Sequence, residues 1–379
     1  MAGARLDRPV EQKQAPSARG RVTGRKRPWL SVLIPVTHFS DALRSRIAAV
    51  AVQAEPGVEV LLADCTGSQT AAAALSYLVW EWEGRLRMLP EMSPCNVNIA
   101  RNVLLDAACG VYVWLLDGED QMLPGAIGEL ATIVDRYKPD LVLCDSMNLM
   151  PSRQNGDRRY TPSRRMTFGG PAGTPTPSRW SLLCRLLSSP ATPATCRLVG
   201  RRAAWNRGLR FPDGELFGDL ATLPRLTLRA DTYLYAQSVW VMHPDTTRQP
   251  IMTLDACDML SAALVEFSRE IHGLPCSSRE VLFRVSHLCA QNFVRAAAHA
   301  VEYEDAQTPV RLGRYRRNFK LSTMMGIRQL LDHYATRGWE ERREQLHHWL
   351  ERCRNETSSG DGAETATANT QQPAQPREG

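Results

Sequence analysis

The densest chemistry in this 379-residue chain lies at Asp117-Gly118-Glu119-Asp120. Three carboxylates in four residues repel one another wherever water is scarce. A divalent cation relieves that repulsion. Oxygen donors suit Mg²⁺ or Mn²⁺, ions that also hold substrate phosphates. A solvated acidic turn is the plainer reading of the same residues. Their setting argues against it, because they follow the apolar run VYVWLLD at 111–117. A second carboxylate, Asp64, ends a similar run, GVEVLLAD at 57–64.

Elements that must position these groups alternate along the chain. LSVLIPV at 30–36 reads as a strand buried on both faces, followed by a helix at 41–53 capped by Ser40 or Asp41. Further strands are expected at 57–64, 85–91, 111–117 and 140–146. The intervening helices are expected at 70–82, 98–109 (stopped by Gly110) and 124–137. This rhythm predicts an α/β fold with a parallel sheet and helices on both faces. Ligands then sit beyond the carboxyl ends of the strands, where Asp64 and Asp117 stand. Residues 151–210, rich in Pro, Gly, Ser, Thr and Arg, read as long loops with a helix near 178–188. A strand follows at 232–242, and apolar spacings of three and four after Pro250 predict an α-helical C-terminal subdomain.

The expected organisation is a disordered basic leader at 1–28, a sheet domain at 29–253, a helical subdomain at 254–353 and a disordered tail at 354–379. The net charge is +6, and 42 of the 46 basic residues are Arg. Charge is nevertheless segregated. Residues 29–150 carry 7 basic and 15 acidic residues, whereas 151–210 carry 12 and 1. The leader alone accounts for +6, so the excess argues weakly for nucleic acid, and no nucleic-acid partner is expected. Ten scattered cysteines without a CxxC pair argue against a zinc ribbon. No apolar run reaches membrane-spanning length and no secretory signal opens the chain, so a reducing cytoplasm is expected. GxGxxG, GxxxxGK[ST] and GxSxG are all missing, against dinucleotide, P-loop and α/β-hydrolase chemistry.

The ordered series of motifs resembles the family 2 glycosyltransferases of the GT-A fold, of the bacterial polysaccharide type. Leu30 to Pro35 matches the opening strand, and Asp64-Cys65-Thr66-Gly67-Ser68 stands where that family has Asp-Asp-Gly-Ser. Asn96 to Asn102 matches a Gly-x-Ser-x-Ala-Arg-Asn helix start, Gly110 to Asp120 the acidic strand end, and Phe211 to Asp219 the segment Phe-x-x-Gly-x-x-x-Glu-Asp. The fold implied is Rossmann-like with a mostly parallel sheet. Departures fall at Cys65, Thr66, Glu119 (usually Asp) and Gly218 (usually Glu).

The resemblance implies an inverting transfer from a nucleoside diphosphate sugar, with UDP as the first choice, to a hydroxyl of a glycan or lipid-linked acceptor. Asp219 would be the catalytic base, with helix capping or a surface charge as its other reading. Pro35, Asp64, Arg101 and Asp117 would contact the donor. Asp117, Glu119, alternatively Asp120, and His243 would hold Mg²⁺ or Mn²⁺. Arg101 at a helix start can instead bridge to Asp117, and His243 can instead be a half-buried structural residue. Arg197, Arg201 and Arg202 are expected near acceptor phosphates or on a solvated surface. The basic stretch 311–353, with Phe319, Trp339 and Trp349, is expected to offer peripheral contact with an anionic membrane at its cytoplasmic face, or an ordinary solvated helix face. A glycosyltransferase-like binding or assembly protein without catalysis is the alternative function.

Overall fold

The computed structural model describes residues 27–90, 92–154, 157–168, 171–177, 179–188, 194–205, 208–214, 217–244, 252–275 and 278–367. Residues 1–26 of the expected leader and 368–379 of the expected tail lie outside them.

The first half alternates as its pattern predicts. Strands β1 (Leu30–Val36), β2 (Val58–Asp64), β3 (Leu86–Met88) and β4 (Tyr112–Leu115) are separated by helices α1 (Asp41–Gln53), α2 (Gln69–Glu81) and α3 (Val97–Ala107). The order β3-β2-β1-β4 is parallel throughout. Every residue of β1 is buried. Its alternate side chains enter two different cores: Val32 and Ile34 pack in one layer, Leu33 in the other. That two-sided burial is why a continuous apolar run, rather than an alternating one, encodes this strand. Ser40 caps α1 through its hydroxyl. Gly110 does not end α3, whose C-cap is Ala108. It permits close approach instead, since a Cβ there would lie 2.5 Å from the Ser31 backbone nitrogen.

The second half departs from expectation. The short β5 (Gln121–Met122) and helix α4 (Ala126–Tyr137) lead into β6 (Leu141–Gln154), which turns back as β7 (Asp157–Met166), so the region read as loops holds a β-hairpin. The β7 sequence DRRYTPSRRM has no apolar alternation, so only pairing with the long edge of β6 makes it a strand. β8 (Thr176–Pro177) and helix α5 (Arg179–Ser188) follow, the latter where the sequence placed a helix. A one-turn 3₁₀ helix (Thr195–Arg197) enters β9 (Leu198–Arg201), inserted antiparallel between β4 and β6. Helix α6 (Arg202–Trp205), helix α7 (Gly218–Thr227) and β10 (Thr232–Pro244) complete the sheet, with β10 parallel to β6.

Helices α8 (Leu254–His272), α9 (Arg279–Glu302), α10 (Thr308–Ser322), α11 (Ile327–Thr336) and α12 (Glu340–Thr367) form the C-terminal subdomain. α12 continues past 353 into the segment read as a tail. The helical core also takes in Leu183 of α5 and Ala221 and Leu228 at α7. Leu223 and Leu226 of α7 pack instead against the sheet. Arg225 of this helix and Arg229 just beyond its C-cap both bond Glu270 on α8. α7 is thus clamped between the two parts of the molecule. Phe319 is buried in the helical core, and Trp339 and Trp349 pack against it. Phe319 therefore faces inward, and Trp339 and Trp349 are half-buried against the same core.

Candidate active site

The carboxylates gather at the carboxyl rim of the parallel strands. Asp64 closes β2 in register with Val36. Its Oδ1 accepts from the Thr66 N–H at 2.9 Å and the Thr66 hydroxyl at 2.7 Å. Thr66, a departure from the resembled motif, therefore stabilises the turn through its side chain. Pro35 is buried in β1 opposite Ala63.

The acidic turn after β4 is tightly built. The Asp120 N–H donates to the Asp117 carbonyl, and Asp120 Oδ2 accepts from the Asp117 N–H at 2.8 Å. Arg46 of α1 donates to the Gly118 carbonyl at 3.0 Å. As a result Asp120 is buried, Asp117 is half-buried and Glu119 is exposed.

Asp120 Oδ1 meets His243 Nδ1 at the end of β10, 2.5 Å away. Burial alone would lower the His243 pKa, but the Asp120 bond and the charges of Asp120, Asp117 and Glu119 outweigh it and push it up to about 9. Cys196 completes a cluster whose ligand atoms lie within 4.8 Å of one another: Asp120, Cys196 and His243. Burial, followed by the Asp120 charge, pushes the Cys196 thiol well up. The donors that could hold a cation are thus a carboxylate, a thiol and an imidazole, with Glu119 and Asp117 in the adjoining turn. That set suits Mn²⁺ better than Mg²⁺, since imidazole is a softer ligand than carboxylate or water.

Arg101 joins the remaining groups. Its side chain is 5% exposed. Nε and Nη2 grip Asp117 in a fork at 3.2 and 2.6 Å, and Nη1 donates to Asp219 Oδ1 at 2.8 Å. Asn98 Oδ1 accepts from Nη1 at 3.1 Å, and the guanidinium lies 4.9 Å from the Phe211 ring centroid. Bridging to Asp117, the alternative to phosphate binding, is therefore the arrangement present.

Asp219 sits in the first turn of α7, where the helix N-terminus favours negative charge. Its Oδ2 accepts from the Thr195 N–H at 3.0 Å. Burial raises its pKa, Arg101 lowers it, and Asp117 and Asp120 raise it again, for a net upward shift. A half-buried carboxylate with a raised pKa is suited to accept a proton.

The structure thus brings Arg101, Asp117, Asp120, Asp219 and His243 together, and sets Asp64 and Pro35 on the neighbouring strands. It does not bring Arg201 and Arg202 to the site. Arg201 bonds the Lys138 and Pro139 carbonyls, and Arg202 the Ala108 carbonyl, all near strand starts at the opposite end of the sheet. Arg197 is buried against Phe168. Sequence reasoning missed Asn98, Thr195 and Cys196. Thr195 and Cys196 lie in the region read as loops, without spacing to mark them. Asn98 carried one signal, a polar residue on the buried face of an amphipathic helix.

Residues 31–206 match the model of the glycosyl transferase family 2. The match ends before Asp219. The O-antigen biosynthesis protein RfbC of Myxococcus xanthus is 32% identical over 119 residues, 31% of this chain and 9% of that protein. Among solved structures, S. aureus TarS 1–349 aligns with a TM-score of 0.57 at 17% identity, covering 86% of this chain and 91% of that one. The complex of the same TarS fragment with UDP-GlcNAc aligns at 0.57 and 16% identity. Residues 31–206, less than half of the chain, thus match a family 2 glycosyltransferase domain, and the chain shares the α/β fold of these structures, with a largely parallel sheet and a helical C-terminal subdomain.

Proposed function

We propose that this chain is a family 2 glycosyltransferase that transfers a sugar, with inversion, from a UDP-linked donor to a hydroxyl of a glycan or lipid-linked acceptor in polysaccharide assembly. The observation that carries this reading is the single guanidinium of Arg101 holding Asp117 and Asp219 together at the strand rim. In it, Asp219 removes the proton of the attacking hydroxyl. The α7 N-terminus and the Thr195 N–H hold its carboxylate in place. Arg101 holds the base and the acidic turn in one frame, so donor and acceptor meet at fixed separation. Pro35, Asp64 and Asp117 line the donor side. Asp120 and His243 would hold Mn²⁺ or Mg²⁺, with Glu119 and Asp117 adjacent. Such an ion supplies Lewis-acid stabilisation of the departing diphosphate. TarS of S. aureus, similar in fold, has been observed with UDP-GlcNAc and with UDP, the donor class proposed here.

We assign residues 29–253 to the transfer domain and 254–353 to a helical subdomain that backs α7. No helix among the described residues is long and apolar enough to cross a membrane. We place the protein in the cytoplasm, in peripheral contact with an anionic membrane through α10. There Arg316, Arg317 and Lys320 line a groove with exposed Leu321.

The test is nucleoside diphosphate release from a panel of UDP-, GDP- and dTDP-sugars with Mn²⁺ or Mg²⁺, comparing wild type with Asp219→Asn. Turnover by the wild type and a loss of at least about a hundredfold in the variant are expected. Full turnover by Asp219→Asn would remove Asp219 as the base. Donor binding without transfer across the whole panel would mark a binding or assembly protein instead.

A further inference from the structure

Gly218 immediately precedes the base. A Cβ on it would fall against the Asn98 amide, 2.6 Å from Nδ2 and 2.7 Å from Cγ. Something must yield at such distances, and the amide is not free to swing. Asn98 is fully buried. Its Nδ2 donates to the Gly214 carbonyl at 2.5 Å, and its Oδ1 accepts from Arg101 Nη1. The same Nη1 holds Asp219 Oδ1. One amide therefore touches the base's surroundings twice. It ties down the chain that leads into α7, and it directs the guanidinium nitrogen that grips the carboxylate.

The neighbouring asparagines of α3 act on the same chain segment. Asn96 donates to the Asp213 carbonyl while its Oδ1 caps α3. Asn102 exchanges two 2.9 Å bonds with the Phe211 backbone. Phe217, between this stitched segment and Gly218, has φ of 61°. A non-glycine residue holds that left-handed conformation only where its surroundings impose it.

We propose that Asn98 is a positioning residue for Asp219, and that its amide and a side chain at 218 exclude each other. Gly218 is then required because Asn98 occupies its space. This rests on the reading of Asp219 as the base, so Asp219→Asn is measured alongside.

The experiment compares the wild type with Asn98→Ser, Gly218→Ala and the double variant in the full chain, using the same sugar-nucleotide panel and thermal melting. Asn98→Ser is expected to lower kcat about tenfold or more with donor KM within about twofold, because the base is misaimed while the donor strands are untouched. Gly218→Ala alone is expected to lower the melting temperature by about 3 °C or more. In the Asn98→Ser background the same alanine should cost little and cause no further loss of kcat.

An Asn98→Ser protein that melts lower yet keeps wild-type kcat would show a purely structural residue and overturn the positioning role. Equal melting penalties for Gly218→Ala in both backgrounds would overturn the exclusion. If Asp219→Asn retains full turnover, the base reading fails and the positioning role falls with it. If Asp219→Asn is inactive while Asn98→Ser is unimpaired, only the present proposal fails. A wild type inactive on the whole panel likewise removes the role assigned to Asn98.

Discussion

Replacing Arg101 with Met removes the one cation between two carboxylates. Three charge-assisted bonds disappear: two to Asp117 and one to Asp219. Breaking a buried pair by deleting one partner typically costs about 3–5 kcal/mol, mostly from the charge left behind. Asp219, 19% exposed, bears that cost nearly in full, whereas Asp117 at 30% exposure can recruit water. We expect a loss of about 3 kcal/mol at pH 8, measured by guanidinium denaturation with tryptophan fluorescence. Arg101→Lys keeps the charge but cannot span both carboxylates, and should lose about half as much. The pH dependence has a definite sign. In the Met variant the Asp219 pKa rises further above its unfolded value, so the native state binds more protons than the unfolded chain. The penalty is fully present above the folded pKa and fades as pH falls toward the unfolded one. The deficit should therefore shrink as pH falls from 8, and adding Asp219→Asn should recover part of it. A loss below about 1 kcal/mol, or a deficit that grows on acidification, would refute the reasoning.

Three further outcomes are expected. His287, bonded to Tyr334 and Arg342, is held down to about 4 by burial and then by Arg342, Arg284 and Arg337. Its folded pKa lies below its unfolded one, so stability is full above about pH 6.5 and falls by roughly 3 kcal/mol toward pH 4. His287→Gln should flatten that slope in urea titrations at stepped pH, and an unchanged slope would exonerate His287. Chelation with EDTA should abolish turnover and Mn²⁺ should restore it, with His243→Ala raising the Mn²⁺ required by about tenfold or more. Turnover unaffected by EDTA would exclude the Asp120–His243 cation site. Finally, Arg316→Glu/Arg317→Glu/Lys320→Glu should lose binding to vesicles containing anionic phospholipid, measured by co-sedimentation, while wild type ignores neutral vesicles. Equal binding of the wild type to both would sink the electrostatic contact.

The first half of the fold was legible because each of its signals is local. β1 and β2 are apolar runs stopped at turn residues, and α1 begins at the residue read as its cap. The carboxylates at strand ends follow from the same pattern, since a parallel sheet puts every strand's carboxyl end on one rim. β7 and β9 were not legible: β7 lacks an apolar period and is a strand only through pairing with the preceding β6, and the four-residue β9 pairs only with strands distant in sequence. Arg197, Arg201 and Arg202 show the limit of charge counting. A cluster in sequence was dispersed by the turn from the 3₁₀ helix into β9 and α6, which leaves one buried and sends two to the far edge.

From sequence alone came the alternation of strands and helices, the acidic turn at 117–120 and the ordered motifs that resemble family 2 glycosyltransferases. Only the tertiary structure decided which acid does what. Asp117 is claimed by Arg101, Asp120 turns inward to His243 and Cys196, and Glu119 is left in solvent. It also decided where Asp219 stands, because α7 is held on one side by the sheet and on the other by helices from separate parts of the chain. The physical reason is range. Backbone propensity and burial period act over a few residues, whereas a buried guanidinium recruits whatever carboxylates the packed elements bring within about 3 Å.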